Sequence, residues 1–387
     1  MRTSRFLVPV LLAAIASLNL SGARAQADSF EPAPTLNTVD FLSSAEITGP
    51  HHRVELSVAN NGLNNLYVIE SDYGRFTPLG TSMARIRIHE IGAIAILKAT
   101  ETDEAAGGGA VEAGKDKLDT VKTIVANPVD TLKSMPKGAS RFFGSIGEAL
   151  KGNRSDYEGN TTEVLLGVSE ARRKLAASLK VSPYTSNPVL REELTRVAGA
   201  KGITDRLLNI GLGVVTGGAT AVVVTSVGIS ETLLEQIASE PPAQVRIEVR
   251  KQLLSAGASK DVVEAFLDSP RLSPVHLAVI AEALVSTGAE TGLDTVLSTY
   301  RQARSEGEAL YLMRAARLLA RYHGNVAPLT QLRITGIHPT GLDSQGNLVI
   351  PLPMDYASWT ERNAATVEHL ASLPAEDEMI TGIVVYT

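Results

Sequence analysis

The sequence predicts an α+β fold that is mainly α-helical, with short antiparallel β segments near the N- and C-termini flanking a central helical domain. Apolar and polar residues alternate at 54–58 and at 348–350, which is the period of a half-buried strand. Between about 112 and 323, apolar residues recur at helical spacing instead. Because each β segment is too small to be stable alone, we expect the two to pair or pack together.

The N-terminal β segment is predicted to be a small meander followed by a helix. The alternating strand at 54–58 leads into Asn60–Gly62, the strongest short turn signal in the chain. A return strand at 66–69 and a short third strand that includes Phe76 complete the meander. Residues 81–99 show both periods, but the long Ala/Ile-rich run favours a helix there.

Prolines mark helix starts in the central domain. Asn187-Pro188 places a capping side chain before a proline at the first helical position. Pro241-Pro242 and Ser273-Pro274 separate later helices in the same way. No fixed repeat period runs through this region, so a regular solenoid is not predicted.

After residue 325 the period of the sequence returns to two. Strands around 332–337 and 348–350 flank a turn at 343–347, which predicts a hairpin. A helix at 364–373 and a final strand at 380–386 are expected to complete the chain.

The first 25 residues carry the three parts of a secretory signal peptide. Arg2 and Arg5 make the start basic, residues 6–20 are apolar, and Ala23–Ala25 supplies the small residues of a cleavage site. We expect cleavage after Ala25 or, as a second choice, after Ala27. The apolar run is too short to span a bilayer comfortably, which disfavours a retained anchor.

These patterns divide the chain into four parts. A signal peptide at 1–25 precedes an N-terminal lead-in, β-meander and helix at 26–106. A helical domain at 107–325 follows, and the glycines at its start mark a flexible joint. The C-terminal β-hairpin and helix at 326–387 are expected to pack with the N-terminal β segment.

Composition excludes several classes of protein. The chain of 387 residues has no cysteine, which excludes disulfides, thiolate nucleophiles, cysteine-bound zinc and lipid attachment at a signal-peptide cysteine. Its formal charge is −6, and the signal peptide contains arginine but no acidic residue, so we expect no nucleic-acid partner. Aromatic residues make up 4%, which disfavours open carbohydrate-binding platforms.

The motifs of common enzymes are absent or incomplete. No histidines have the spacing of a helical zinc site, and His51 and His52 would point to opposite faces of a strand. Ser134 and Lys137 have the spacing of penicillin-recognising enzymes, but the companion motifs are missing and Pro136 disturbs the helix that this spacing requires. We therefore predict no metal, no cofactor and no catalytic residue.

A basic and apolar segment at 133–154 has two interpretations. On a helix, its phenylalanine and aliphatic residues share one face that basic residues flank, as in a helix that lies on an anionic membrane. The same pattern is that of an ordinary surface helix that buries its apolar face, which we favour. The candidate contacts with a membrane or a partner are Lys137, Arg141, Phe142, Phe143, Ile146 and Leu150.

Residues 210–229 form an uncharged stretch of 20 residues with five glycines. Its length fits a membrane span, and Gly213 and Gly217 have the spacing of a helix-packing face. Threonine and serine lower its hydrophobicity, and glycine is a weak helix former in water. We favour a segment buried inside the protein and keep the membrane span as the alternative.

The C-terminal part contains a candidate pocket. Asp355, Tyr356 and Trp359 follow two prolines near a strand end, and an acid beside aromatic residues suits a small binding pocket. A capped loop with a packed tryptophan is the simpler interpretation. The segments Tyr184–Pro188 and Pro353–Tyr356 are also typical of loops that a protein family retains.

These observations favour an exported, non-enzymatic protein of the cell envelope, periplasmic or extracellular, with a binding or structural role. Its expected partner is an unidentified protein or envelope component. One alternative is a membrane-peripheral or membrane-active protein that uses residues 133–154 and 210–229. A second alternative is a hydrolase whose site has no recognised motif.

Export gives the first testable prediction. In a secreting host, signal peptidase should remove the N-terminal segment of the full-length chain. N-terminal sequencing of the secreted protein is expected to start at Gln26, or at Asp28 for the second cleavage site. Soluble cytoplasmic protein that keeps Met1 would contradict this prediction.

Overall fold

A computed structural model of the chain describes residues 30–100, 155, 156, 158, 168–199, 240–336 and 338–387. Three segments lie outside these residues: the predicted signal peptide at 1–25, the basic and apolar segment at 133–154 and the uncharged stretch at 210–229. In the part that is described, the fold is α+β and mainly α-helical, with three small sheets near the termini. The sequence prediction of the fold class is therefore confirmed.

The N-terminal part forms two small antiparallel sheets and a long helix. One sheet has the strand order β1-β4-β5 and the other the order β2-β3-β6-β7. The elements are β1 (Thr35–Asn37), a 3₁₀ turn (Thr38–Asp40), α1 (Ser44–Ile47), β2 (Thr48–Gly49), β3 (His52–Val54), β4 (Ser57–Asn60), β5 (Asn65–Leu66), β6 (Ile69–Ser71), β7 (Gly74–Phe76) and α2 (Thr81–Ala99).

The return strand expected at 66–69 is divided between the two sheets. Leu66 pairs with β4, whereas Ile69 pairs with β3. Tyr67 lies at the break, is fully buried, and donates its backbone N–H to the carbonyl of Pro78. The buried ring draws the chain inward, so the two halves of the predicted strand join different sheets.

The helix α2 is buried on several faces. Its Ile88 and Ile91 pack under the N-terminal sheets, while Ile94 and Leu97 pack against the helices at 168–178 and 188–199. A helix that is apolar on most of its surface belongs in a core, which explains why its sequence lacks a clean amphipathic pattern.

The central domain, as far as it is described, consists of short helices joined closely in sequence. Their starts at Pro188, Pro242 and Pro274 follow the predicted proline signals. Asn187 and Ser273 accept hydrogen bonds from backbone N–H groups of the helices that they precede. The helices are α3 (Val168–Ser178), α4 (Pro188–Gly199), α5 (Pro242–Ser255), α6 (Lys260–Leu267), α7 (Pro274–Ser286), α8 (Leu293–Tyr300) and α9 (Glu306–Asn325).

The largest hydrophobic core lies among α5–α9 and one face of the C-terminal sheet. The helix α7 packs against both α5 and α9, and α6 packs against α8. Leu253, Phe266 and Tyr300 are fully buried there. This packing holds α9 along its length, so the first turns of the helix have a fixed position at the surface.

The C-terminal part has one strand more than the predicted hairpin. It contains β8 (Leu329–Thr335), β9 (His338–Asp343), β10 (Asn347–Pro351), α10 (Glu361–Glu376) and β11 (Gly382–Tyr386). The chain turns first at Gly336, where φ is +61°, and again before β10. Nearly all of β9 is buried, so its sequence shows no alternation and did not indicate a strand. The strand β11 runs parallel to β10.

The two β segments form separate sheets and meet through the segment after β10. The backbone N–H groups of Asp355 and Ser358 donate to the carbonyls of Leu63 and Gly62, at 2.9 and 3.1 Å. The Asp355 carboxylate accepts from the backbone N–H of Asn65 at 2.9 Å. These bonds connect positions about 290 residues apart in the chain.

The same carboxylate caps α2. Gly80 precedes the helix and has no side chain to accept the free N–H groups of the first turn. Asp355 accepts the N–H of Thr81 with both carboxylate oxygens, at 3.1 and 3.0 Å. A residue near the C-terminus therefore supplies the N-cap of a helix near the N-terminus.

The Asp355→Ala substitution is expected to lower the free energy of unfolding by about 2 kcal/mol, because it removes a charged acceptor from two backbone N–H groups. Urea unfolding followed by circular dichroism measures the change. The control is Asp261→Ala, at an exposed aspartate in the first turn of α6, with an expected change below about 0.5 kcal/mol. Equal effects of the two substitutions would rule out a special role for Asp355.

Candidate functional site

A cleft of about 1160 Å³ opens where distant parts of the chain meet. Its walls come from the loop and first turn at 76–83, from the start of α4, from the first three turns of α9 and from Pro353. Asp156 and Arg271 close one side. Because these segments are far apart in sequence, only the folded chain forms the cleft.

Among the described residues that line the cleft, arginines outnumber carboxylates. Five arginines and three carboxylates contribute, so the wall carries an excess of positive charge although the whole chain is acidic. The lining arginines are Arg87, Arg191, Arg271, Arg304 and Arg314. The lining carboxylates are Asp156, Glu306 and Glu308.

Arg87 organises the floor of the cleft. It is buried on α2 and donates from Nη1 to Glu90 Oε2 at 2.6 Å. Its Nη2 donates to Glu306 Oε2 and to Ser186 Oγ, each at 2.5 Å. The Ser186 hydroxyl in turn donates to Glu306. One guanidinium thus connects α2, the loop before α4 and the start of α9.

The loop before α4 is ordered by Glu90, the second carboxylate on Arg87. Glu90 is 2% exposed and accepts from the hydroxyl of Thr185 and from Asn187 Nδ2, the latter at 3.1 Å. Asn187 Oδ1 accepts from the N–H of Val189 at 3.1 Å and so caps α4. The loop that carries Ser186 is therefore held from both ends.

The charges in this cluster stabilise one another. Burial raises the pKa of Glu306, but the Arg87 guanidinium and the Ser186 hydroxyl outweigh it, so the net pKa is lowered. Burial lowers the pKa of Arg87, and the carboxylates of Glu90 and Glu306 more than reverse that shift. Glu306 and Arg87 consequently stay ionised at neutral pH.

The other two carboxylates of the cleft also contact arginine. Glu308 pairs with Arg304 at 3.2 Å on the exposed rim. Asp156 pairs with Arg271 at 2.7 Å, and its backbone carbonyl accepts from Arg191 Nη1 at 3.3 Å. Each carboxylate that lines the described part of the cleft is therefore held by an arginine.

Arg314 differs from these arginines. It lies on the face of α9 that lines the cleft, and among the described residues its side chain forms no hydrogen bond and no ion pair. Burial lowers the pKa of Arg314, and the charge of Asp355 nearby opposes that shift in part. Asp355 already accepts backbone N–H groups of Asn65 and Thr81.

The structure places the predicted pocket residues at the edge of this region. Asp355 is half-buried and acts as the cap of α2. Tyr356 and Trp359 are 44% and 42% exposed and lie outside the lining of the cleft, which the neighbouring Pro353 joins. A separate small pocket at these three residues stays a prediction. The candidate contacts between Lys137 and Leu150 lie outside the described residues.

Sequence reasoning missed Arg87, Glu306 and Arg314, because no motif connects residues that are more than 200 positions apart. Two local signals were present. The charged residues Arg87 and Glu90 interrupt an otherwise Ala/Ile-rich helix. The segment Tyr184–Pro188, whose sequence is typical of a retained loop, contains Ser186, which lines the cleft.

The described residues contain neither a cluster of metal ligands nor a helix that could span a membrane. No three histidine or carboxylate side chains there are placed to hold a metal ion. Of the helices in the same residues, none is long and apolar enough to cross a membrane.

Comparisons with known proteins add no assignment. No protein-family model, no curated protein and no solved structure matches the chain.

The Glu306→Gln substitution is expected to lower the free energy of unfolding at pH 7 by about 2 kcal/mol, because it removes one of the two carboxylates that pair with the buried Arg87. A carboxylate whose pKa is lowered on folding stabilises the protein above its usual value of 4.5. That contribution is lost as the pH falls through the lower pKa of the folded state. The difference between variant and wild type should therefore shrink below about pH 4.5.

Urea unfolding at several values between pH 7 and pH 3 measures this difference. Glu308→Gln is the matched control on the same helix, since Glu308 pairs with the exposed Arg304. The control is expected to change the free energy of unfolding by less than about 1 kcal/mol. A Glu306→Gln effect that stays constant over the whole pH range would contradict the assignment.

Proposed function

We propose that the protein is an exported, non-enzymatic binding protein of the cell envelope that holds its ligand in the arginine-lined cleft. The observation that carries this proposal is that each carboxylate lining the described part of the cleft is held by an arginine. Such a wall has fixed charges for recognition, and it has no free carboxylate to act as a general base.

The dimensions of the cleft support binding. A volume of about 1160 Å³ is slightly above the usual range for small-molecule sites, roughly 300–1,000 Å³, so the cleft has room for a small ligand. Apolar side chains such as Phe76, Met83 and Leu310 lie beside the charged ones. A ligand would therefore meet apolar surface together with a few fixed polar groups, which is the usual composition of a binding site.

The contacts of Ser186 count against the hydrolase alternative. The hydroxyl of a serine nucleophile must lose its proton to a base and keep a lone pair free for attack. Here Ser186 donates to Glu306, whose lowered pKa makes it a weak base, while Arg87 donates to the serine oxygen. These bonds fix the loop and leave the hydroxyl unactivated.

Export and the membrane alternative depend on other parts of the chain. The signal peptide at 1–25 supports export and an envelope location. The membrane-peripheral alternative depends on 133–154 and 210–229, which lie outside the described residues. No contact in the described part favours it over binding in the cleft.

Filling the cleft tests the proposal. Gly307 is exposed, lines the cleft, and has only Ser305 Oγ near an added Cβ, at 3.9 Å. Gly307→Trp should therefore fold and block the cleft. Gly324→Trp is the matched control, because Gly324 is exposed near the other end of α9 and no atom lies within 4 Å of an added Cβ.

The measurement is the melting temperature of the secreted protein with a panel of anionic, neutral and cationic metabolites. A ligand at 100 times its Kd stabilises the folded state by about 2.7 kcal/mol. At least one compound is expected to raise the melting temperature of wild type and Gly324→Trp but not of Gly307→Trp. Equal stabilisation of all three proteins would contradict binding in the cleft, and conversion of a panel compound would contradict a non-enzymatic role.

A further inference from the structure

We infer that the ligand carries an oxyanion, a carboxylate or a phosphate group, and that Arg314 binds it. This inference rests on the proposed function, because it assigns a ligand class to the same cleft. It depends on the positive charges of the wall that carboxylates leave uncompensated.

In the described part of the cleft, some of the lining arginines have a carboxylate partner and others do not. Arg87, Arg271 and Arg304 each have a carboxylate partner. Arg191 contacts a backbone carbonyl, and Arg314 has no hydrogen-bonding or ion-pair partner in the described residues. Within the described residues, no carboxylate therefore pairs with these two guanidinium groups of the wall.

Arg314 lies on the face of α9 that lines the cleft. Gly307, Leu310, Tyr311 and Arg314 line the cleft at helical spacing, so they share one face of α9. Arg314 is the last of these, roughly 10 Å along the helix from Gly307. Arg304, which pairs with Glu308 at the start of α9, and the guanidinium of Arg314 are consequently separated along the face of the helix that lines the cleft.

The position of Arg314 is unfavourable in free energy when no ligand is bound. The half-buried guanidinium of Arg314 has lost part of its hydration, and no described residue gives it a hydrogen bond in return. Asp355, whose charge partly offsets the effect of burial on the pKa of Arg314, is held by the first turn of α2. The acceptor that Arg314 lacks is one that a ligand can supply, and planar guanidinium groups bind carboxylate and phosphate with paired hydrogen bonds.

Isothermal titration calorimetry of the full secreted chain tests the inference with defined probes. Succinate and citrate form the carboxylate arm, and inorganic phosphate and glycerol phosphate form the phosphate arm. Glycerol and glucose are the neutral probes. At least one oxyanion probe is expected to bind, and the arm that binds identifies the group. If no oxyanion probe binds, the inference is wrong.

The Arg314→Met substitution is expected to weaken binding of that probe at least tenfold, because it removes the charged donor pair. Arg314→Lys keeps the charge but not the planar fork, so an intermediate loss is expected. Arg317→Met is the matched control, since Arg317 is on the same helix but outside the lining of the cleft. The control should leave the Kd unchanged within twofold.

A second readout separates a ligand contact from a structural role. Without a ligand, Arg314→Met should keep or raise the melting temperature, because it removes a partly buried charge without a partner. A lower melting temperature together with an unchanged Kd would overturn the inference.

The experiment also separates this inference from the proposed function. If neutral probes bind and Gly307→Trp blocks them while oxyanions do not bind, the cleft is a binding site and the inference fails. If oxyanions bind with equal affinity to wild type and Gly307→Trp, both the cleft and the role of Arg314 are wrong.

Discussion

The buried guanidinium of Arg87 is the interaction on which the rest of the structure depends. A charge at this depth is tolerated only when it is paired and hydrogen-bonded. Its partners come from its own helix, from a loop 99 residues further along and from a helix 219 residues away. The cluster therefore brings together the segments that form the cleft, and it determines which polar groups remain free there.

One consequence of this pairing is the charge of the cleft wall. Because Glu306 is committed to Arg87 and Asp355 to the backbone of α2, neither carboxylate pairs with Arg314. The chain as a whole has a formal charge of −6, yet the cleft is locally positive. A concave site with an excess of positive charge attracts negatively charged ligands. The acidic composition that argues against a nucleic-acid partner is therefore compatible with a small anionic ligand.

The hydrogen bonds of Asp355 and those of the Arg87 cluster both join distant parts of the chain, but they satisfy different groups. Asp355 satisfies backbone N–H groups, so it belongs to the hydrogen-bonding requirements of α2. The Arg87 cluster satisfies side-chain charges and places Ser186 at the surface of the cleft. The hydrogen bonds of Asp355 determine where the C-terminal segment lies on the N-terminal sheets. The Arg87 cluster holds α9 against α2, and its bonds fix the position of the Ser186 hydroxyl.

The sequence by itself determined the features that depend on local periodicity and on helix capping. These include the fold class, the helix at 81–99 and the helix starts at Pro188 and Pro274. It did not indicate β9, because a strand buried on both faces has no alternating pattern. The cleft, the Arg87 cluster and the isolated Arg314 were decided by tertiary structure alone. A partner of a buried charge can come from any distance along the chain, whereas periodicity reports only which face of an element is covered.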